Sequence, residues 1–273
     1  MYFNDENTNN VGLFGGVYKG ATIKNVGIID SYFKGKHYVG GVCGYNYVGT
    51  ITKSYNTGTV SGSENVGGVC GRNGGTIKDS YNESTVSGSN YVGGVCGYNS
   101  SYNTIENSYN TGTVSGSENV GGVCGYNSNG STIENSYNTG SVSGSNWVGG
   151  VCGYNTYTIK NSYNTGSVSG SNWIGGVCGH NDSGGTIKNS YNTGSVSGTT
   201  RVGGVCGYNI GTITNSYYLE NCNADGITFT NNDGIAQTSE QFASGEVAYS
   251  LQDNQDNQET VIWGQEIGTD SLP

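Results

Sequence analysis

Residues 133–155 read I-E-N-S-Y-N-T-G-S-V-S-G-S-N-W-V-G-G-V-C-G-Y-N, and the chain says nearly the same thing six times. From the opening Ile to the closing Asn each copy holds 23 residues: Ile51–Asn73, Ile77–Asn99, Ile105–Asn127, Ile133–Asn155, Ile159–Asn181 and Ile187–Asn209. Only the links vary, from three to five residues. A fixed unit with variable links predicts a solenoid, in which each coil buries its apolar side only against its neighbours. Within a copy two or three short strands are expected, around T-I-x-N-S-Y, G-S-V-S and V-G-G-V-C-G-Y. Asn-Thr-Gly and Ser-Gly-Ser supply turns. The inward set of one coil is Ile133, Val142, Val148 and Val151. The last two are three apart, which strict alternation forbids, so a corner or bulge is required at Gly149-Gly150. The crossover rule for parallel strands gives the winding its hand. The expected fold is all-β, a right-handed parallel β-solenoid of about seven to eight coils and ~27 residues per coil.

Outward from the repeats, the ends differ. Residues 1–22 read as a capping half-coil, with Leu13 and Phe14 standing where later copies carry Val and Cys. Residues 23–216 form the repeat body. Residues 217–273 form an acidic capping segment with one short helix, Glu240 to Gln252, opened by the capping box Thr238-Ser239-Glu240-Gln241. Phe242, Ala243, Val247, Ala248 and Leu251 fall on its inner face.

Charge is divided as unevenly as structure. Residues 1–216 carry ten acidic and ten basic side chains, and residues 217–273 carry ten acidic and no basic ones. The whole net charge of −10 therefore lies in the last segment. That disfavours nucleic acid as a partner, since phosphate binding needs a basic stripe. The lack of any long apolar run speaks against a membrane span. Residues 1–10 are polar and hold no signal peptide. Either the protein stays inside the cell or the chain is a piece of a larger one, as the ending D-S-L-P suggests.

Seven of the eight cysteines share one repeat position: Cys43, Cys70, Cys96, Cys124, Cys152, Cys178 and Cys206. Their spacing is one coil, not that of a zinc knuckle. In-register residues of adjacent strands lie ~4.8 Å apart, too far for an easy disulfide. A structural column of inward, reduced thiols is expected, and Cys206–Cys222 is the pair best placed for a bridge if one forms. The repeated Asn residues of S-Y-N and G-Y-N are expected to form amide ladders.

Chemistry is sparse. The two histidines, His37 and His180, stand at different repeat positions, and no H-E-x-x-H occurs. No paired carboxylates at hydrolase spacing are evident, so the chain is not expected to be an enzyme and no cofactor is implied. Binding fits better. Tyrosines recur in S-Y-N and in G-Y-N, the second series being broken by Arg72 and His180. A third, variable position carries Tyr38, Tyr91, Trp147 and Trp173. Trp147, Trp173 and Tyr91 are the candidate ligand-binding residues, and packing over the strand edges is the competing explanation of all the rings.

The unit I-x-N-S-Y-N-T-G-x-V-S-G-x-x-x-V-G-G-V-C-G-Y-N resembles the GLUG repeat of bacterial surface proteins. The opening N-V-G-L-F-G-G-V-Y-K-G-A-T-I-K-N and the closing Q-T-S-E-Q-F-A-S-G-E-V-A-Y-S-L-Q are similar to the ends of such arrays. The chain departs from the family in placing Cys where V-G-G-L-V-G has an aliphatic residue. The resemblance implies a non-catalytic, adhesin-like or projecting module of an extracellular or cell-surface protein, with neighbouring domains in a larger polypeptide. A host or neighbour glycan or protein would be its partner. The alternative it implies is an accessory region of a secreted peptidase or glycan-processing enzyme, since such repeats also occur in some immunoglobulin A peptidases.

Overall fold

The computed structural model describes the chain except residues 101, 129, 224–228, 230–233 and 258. It is a parallel β-solenoid of about eight turns. Every strand pair in it is parallel, and like residues lie over like: Cys70 over Cys43 and under Cys96, Ile105 between Ile77 and Ile133. One turn takes 26 to 28 residues, as the steps from Cys70 to Cys96 and from Cys96 to Cys124 show.

Each coil contains five strands, where the sequence reading expected two or three. In one coil they are Thr132–Glu134, Tyr137–Asn138, Val142–Ser143, Asn146–Gly149 and Cys152–Asn155. Stacked, they make five sheets of eight, nine, eight, seven and eight strands. Two stretches expected as single strands are each cut in two. Asn135, at φ 49°, breaks the first between Glu134 and Tyr137. The same left-handed step recurs at Asp79, Asn107, Asn161 and Asn189, positions that Asn and Asp tolerate better than other side chains. The second cut is the corner at Gly149-Gly150, where the N–H groups of Val151 and Cys152 both donate to the carbonyl of Val177.

Those corners aim three successive apolar side chains inward. Val148, Val151 and Cys152 are all buried, with Ile133 and Val142 completing the ring. The interior is one continuous apolar column from Val11 to Cys222. Polar groups inside it run in ladders that satisfy one another. In the S-Y-N ladder Asn110 Nδ2 donates to Asn138 Oδ1 and Asn138 Nδ2 to Asn164 Oδ1, each at 2.8 Å. The G-Y-N asparagines do the same, as between Asn127 and Asn155. A third ladder was not read from the sequence: the N–H of each S-Y-N serine donates to the hydroxyl of the serine one coil on, as Ser108 does to Ser136. That hydroxyl in turn donates to the carbonyl two residues back.

The ends are built differently. At the start, Tyr2–Asn4 already pairs with Tyr32–Lys34, within the stretch expected as a capping half-coil. Phe14 lies in register with Cys43 and is 40% exposed. At the other end the single expected helix is two: α1, Ser239–Ala243, and α2, Glu246–Asp253. The capping box at Thr238 and Gln241 is present, but Gly245 at φ 84° turns the chain before α2. Phe242, Val247, Ala248 and Leu251 are buried, while Ala243, expected beside them, faces out. Ile235–Gln237 adds a last strand to the Tyr-Asn sheet. The helices lie on the flank rather than over the open end, burying Tyr191 and Tyr217 with Trp263. Lys188 Nζ holds the segment through Asp256 at 2.5 Å.

All eight cysteines are free and buried, and the seven of the repeat have 0% exposure. Cys222 is not over Cys206. It stands at the end of the S-Y-N ladder, where its sulfur accepts from Asn192 Nδ2 at 3.6 Å, so that pair forms no bridge. Desolvation is the largest influence on Cys96, Cys152 and Cys178, and it pushes these thiols up.

Candidate ligand-binding face

Two positions of each coil feed one outer face. The first is the x of N-x-V-G. In strand register Glu118 faces Asn146 and Val120 faces Val148, and the residue between them is left out of the ladder. That residue is a bulge in the left-handed region, and it is so in seven coils: Tyr38, Asn65, Tyr91, Asn119, Trp147, Trp173 and Arg201 have φ between 53° and 58°. The bulge throws its own side chain outward and lets the following Val point in. Asn is at home there. Tyrosine, tryptophan and arginine are not, and each such outlier costs about 1–3 kcal/mol that surrounding structure must offset. The second position is the Tyr of C-G-Y-N, the one half-exposed residue of a strand whose Cys, Gly and Asn are buried.

The rings from these positions form a connected array. Trp147 and Trp173 stack with centroids 5.3 Å apart and planes 10° from parallel. Trp147 meets the edge of Tyr154 at 6.2 Å, and Tyr154 stacks on Tyr126 at 5.1 Å. Tyr91 stands edge-on to both Tyr98 and Tyr126, 5.7 Å from each. Between Tyr91 and Trp147 the column carries Asn119, which is itself buried. Thus the structure brings Trp147 and Trp173 together and sets Tyr91 two coils away, joined through Tyr126 and Tyr154.

Cationic groups are set into the array. Arg72 lies between Tyr45 and Tyr98, 5.1 and 5.0 Å from their centroids. Arg201 sits 4.2 Å from the Tyr208 centroid and 5.8 Å from that of Trp173. His180 replaces a tyrosine and packs 4.4 Å from Tyr154 and 5.1 Å from Tyr208. Burial lowers its pKa, and Arg201 acts in the same direction against Asp182. Tyr154 donates to Asp182 Oδ2 at 3.2 Å, and burial first, then that carboxylate, push its phenol up to about 12. Both nitrogens of His180 and the Nε1 of Trp173 are shielded yet have no protein hydrogen-bond partner. A shallow depression of about 360 Å³ adjoins this face, lined by Tyr126, Ser128, Thr156, Asp182, Ser183 and Gly184. Arg201 escaped the sequence reading. Its signal was positional, since T-T-R-V-G-G places it where earlier coils have N-W-V-G-G.

The S-Y-N tyrosines make a different surface. From Tyr55 to Tyr191 their rings stack 4.7–5.0 Å apart and within 3–5° of parallel. Each face is covered by the next ring, so the column shows only edges and hydroxyls. Its last rungs disappear under the C-terminal segment: Trp263 packs on Tyr163 and Tyr191, Phe242 on Tyr191, and the Tyr191 hydroxyl donates to the Pro273 carbonyl at 3.1 Å. Among the described residues no three His, Cys, Asp or Glu side chains converge as a metal site. No helix among them is long and apolar enough to cross a membrane.

Fold and face together define a repeat solenoid with a ring-bearing flank. The sequence matches the model of the GLUG motif at residues 35–61, 62–87, 88–115, 116–143, 144–169 and 170–197, an unbroken span of more than half the chain. The chain belongs to the GLUG-motif family. No curated protein matches it. Among solved structures it is similar to a crystal structure described as a "putative immunoglobulin A1 protease" from Bacteroides ovatus, at 19% identity and a TM-score of 0.49, covering 92% of this chain and 83% of that one.

Proposed function

We propose that the chain is a non-catalytic repeat module of a bacterial extracellular or surface protein, and that its ring-bearing face is an adhesin-like binding surface for a glycan or a protein. Residues 23–216 serve as the display body, with 1–22 starting it and 217–273 packed against its last coils. Trp147, Trp173 and Tyr91 are the contact residues. One observation carries the reading: bulky rings occupy left-handed bulge positions where Asn, used at Asn65 and Asn119, fits without strain. Strained residues of this kind are retained at ligand contacts more readily than at plain packing sites. Polar-tipped aromatic groups that stay partly exposed, as Trp147 does, suit sugars and protein anchors alike.

The test is a carbohydrate and protein-partner array probed with the full chain and with Trp147→Ala and Trp173→Ala. Retention of a defined ligand by the parent, and its loss in both variants at unchanged melting temperature, is the expected result. If the parent retains nothing, or the variants bind as well as the parent, the chain is a spacer and the reading fails.

A further inference from the structure

The chain contains two arginines, Arg72 and Arg201, and both lie on the ring-bearing face. Neither makes an ion pair among the described residues, although Lys34, Lys78, Lys160 and Lys188 all do. Each guanidinium is instead held against rings, which fixes its position without neutralising it. Arg72 Nη2 donates to Ser100 Oγ at 3.3 Å, and its Nε is shielded without a partner. Arg201 is exposed. The two stand five coils apart, Arg72 at the level of Cys70 and Arg201 at that of Cys206. At ~4.8 Å per coil they are ~24 Å apart along the axis. Between them run Tyr91, Tyr126, Trp147, Tyr154 and Trp173.

We propose that this face binds a linear acidic glycan lying along the solenoid axis. Arg201 and Arg72 pair with carboxylate or sulfate groups at separate points of the polymer. The half-exposed Trp147 and Trp173 pair receives a sugar ring. Glu118, which acts on Tyr91, and Asp182, which accepts from Tyr154, accept from sugar hydroxyls, and Glu64 is already engaged by His37 at 3.0 Å. The acidic C-terminal segment does not oppose such a ligand, because it is anchored on another flank through Lys188 and Tyr191. Planar guanidinium donors pre-set on aromatic faces match carboxylate and sulfate geometry, and a neutral polymer leaves them unused. This inference rests on the ring-bearing face being a glycan site.

The experiment uses the full chain on an array of neutral, uronate-containing, sialylated and sulfated oligosaccharides. It is followed by titration with an oligogalacturonide and with its fully methyl-esterified, uncharged form. Retention of acidic members is expected, with the free acid bound about tenfold more tightly than the ester and binding weakened by added salt. Arg201→Gln and Arg72→Gln each reduce binding of the acid toward that of the ester, at unchanged melting temperature, and Trp147→Ala weakens both. Retention of neutral glycans alone, equal binding of acid and ester, or arginine variants that bind like the parent overturns the acidic ligand while leaving a glycan site. An array that retains nothing overturns the glycan site as well.

Discussion

At the scale of single residues, the bulge position separates what stability wants from what the face displays. Asn65 and Asn119 take the left-handed conformation comfortably, while Trp147 and Trp173 take it under strain and recover part of the cost by stacking on each other. Strain of about 1–3 kcal/mol is set against a stacking gain of about 0.5–1.5 kcal/mol. Trp147→Asn is therefore expected to leave stability within about 1 kcal/mol of the parent while abolishing ligand binding, measured by urea denaturation and by the array. A loss of more than about 2 kcal/mol would show that the indole is needed for packing, and the case for a binding role would collapse. Charged residues follow a simpler logic. Glu106 pairs with Lys78 and Glu134 with Lys160, both at 2.9 Å, so that adjacent like charges in one column are each offset by the coil beyond. Such half-exposed pairs contribute little energy, and they disfavour a slip of one coil.

At the scale of the element, the coil is a five-cornered turn whose corners leave no room for a side chain. In V-G-G-V, a Cβ on Gly122 would collide with the carbonyl oxygen of Gly150 and with the side chain of Asn138. The Asn ladder and the second Gly of the corner thus require each other: the amides stack at 2.8 Å because nothing projects from the glycine beside them. Gly122→Ala is expected to destabilise the chain by ~3 kcal/mol through overpacking, read from denaturant midpoints. A change below about 1 kcal/mol would mean that the corner yields freely, which a rigid stack of coils does not allow. Much of this element was legible in sequence. The inward Ile and Val positions, the break near Gly149-Gly150 and the two Asn ladders could all be placed from spacing. The number of strands could not. Strands of two or three residues lie below the length at which alternation gives a signal, and the left-handed Asn135 step looks like any other residue of a strand. The serine ladder was visible as a repeated letter, Ser54 to Ser216, but a repeated Ser reads as turn chemistry until its hydroxyl is seen to meet the next coil's N–H.

At the scale of the molecule, the solenoid is closed asymmetrically. The first coil leaves strand edges and Phe14 partly open, whereas the last is extended by Ile235–Gln237 and flanked by α1 and α2. That flank gives the chain a pH-dependent weak point. Burial raises the Tyr191 phenol well above its ordinary range and pushes Tyr163, beneath Trp263, up to about 12. A free tyrosine in the unfolded chain ionises near pH ~10. The folded chain thus holds these protons more tightly than the unfolded chain, and the associated stability is intact below about pH 10. It is lost as pH climbs toward the folded value near 12. Alkaline titration followed by tyrosinate absorbance and circular dichroism should show late-titrating tyrosines released together with unfolding, and Tyr191→Phe should move that transition to higher pH. Tyrosines that all titrate near pH ~10 with the strand signal intact would contradict a buried Tyr191.

What the sequence determined alone was the repeat, and with it the stacking of like on like. A 23-residue unit of strand-forming and turn-forming residues can bury its valines only against another copy of itself. The direction of the thiols was left open by the break at Gly149-Gly150; burial preference favoured the interior, and the structure places them there. The tertiary structure alone decided which aromatic column closes on itself and which stays interrupted. One tyrosine column covers its own ring faces and is finished by Trp263. The other is broken by Arg72 and His180 and flanked by bulge residues that include Asn119 and Arg201. The difference lies in the backbone: the direction of a side chain at a left-handed bulge follows from its φ and from the coils above and below, and neither is written in the identity of the residue.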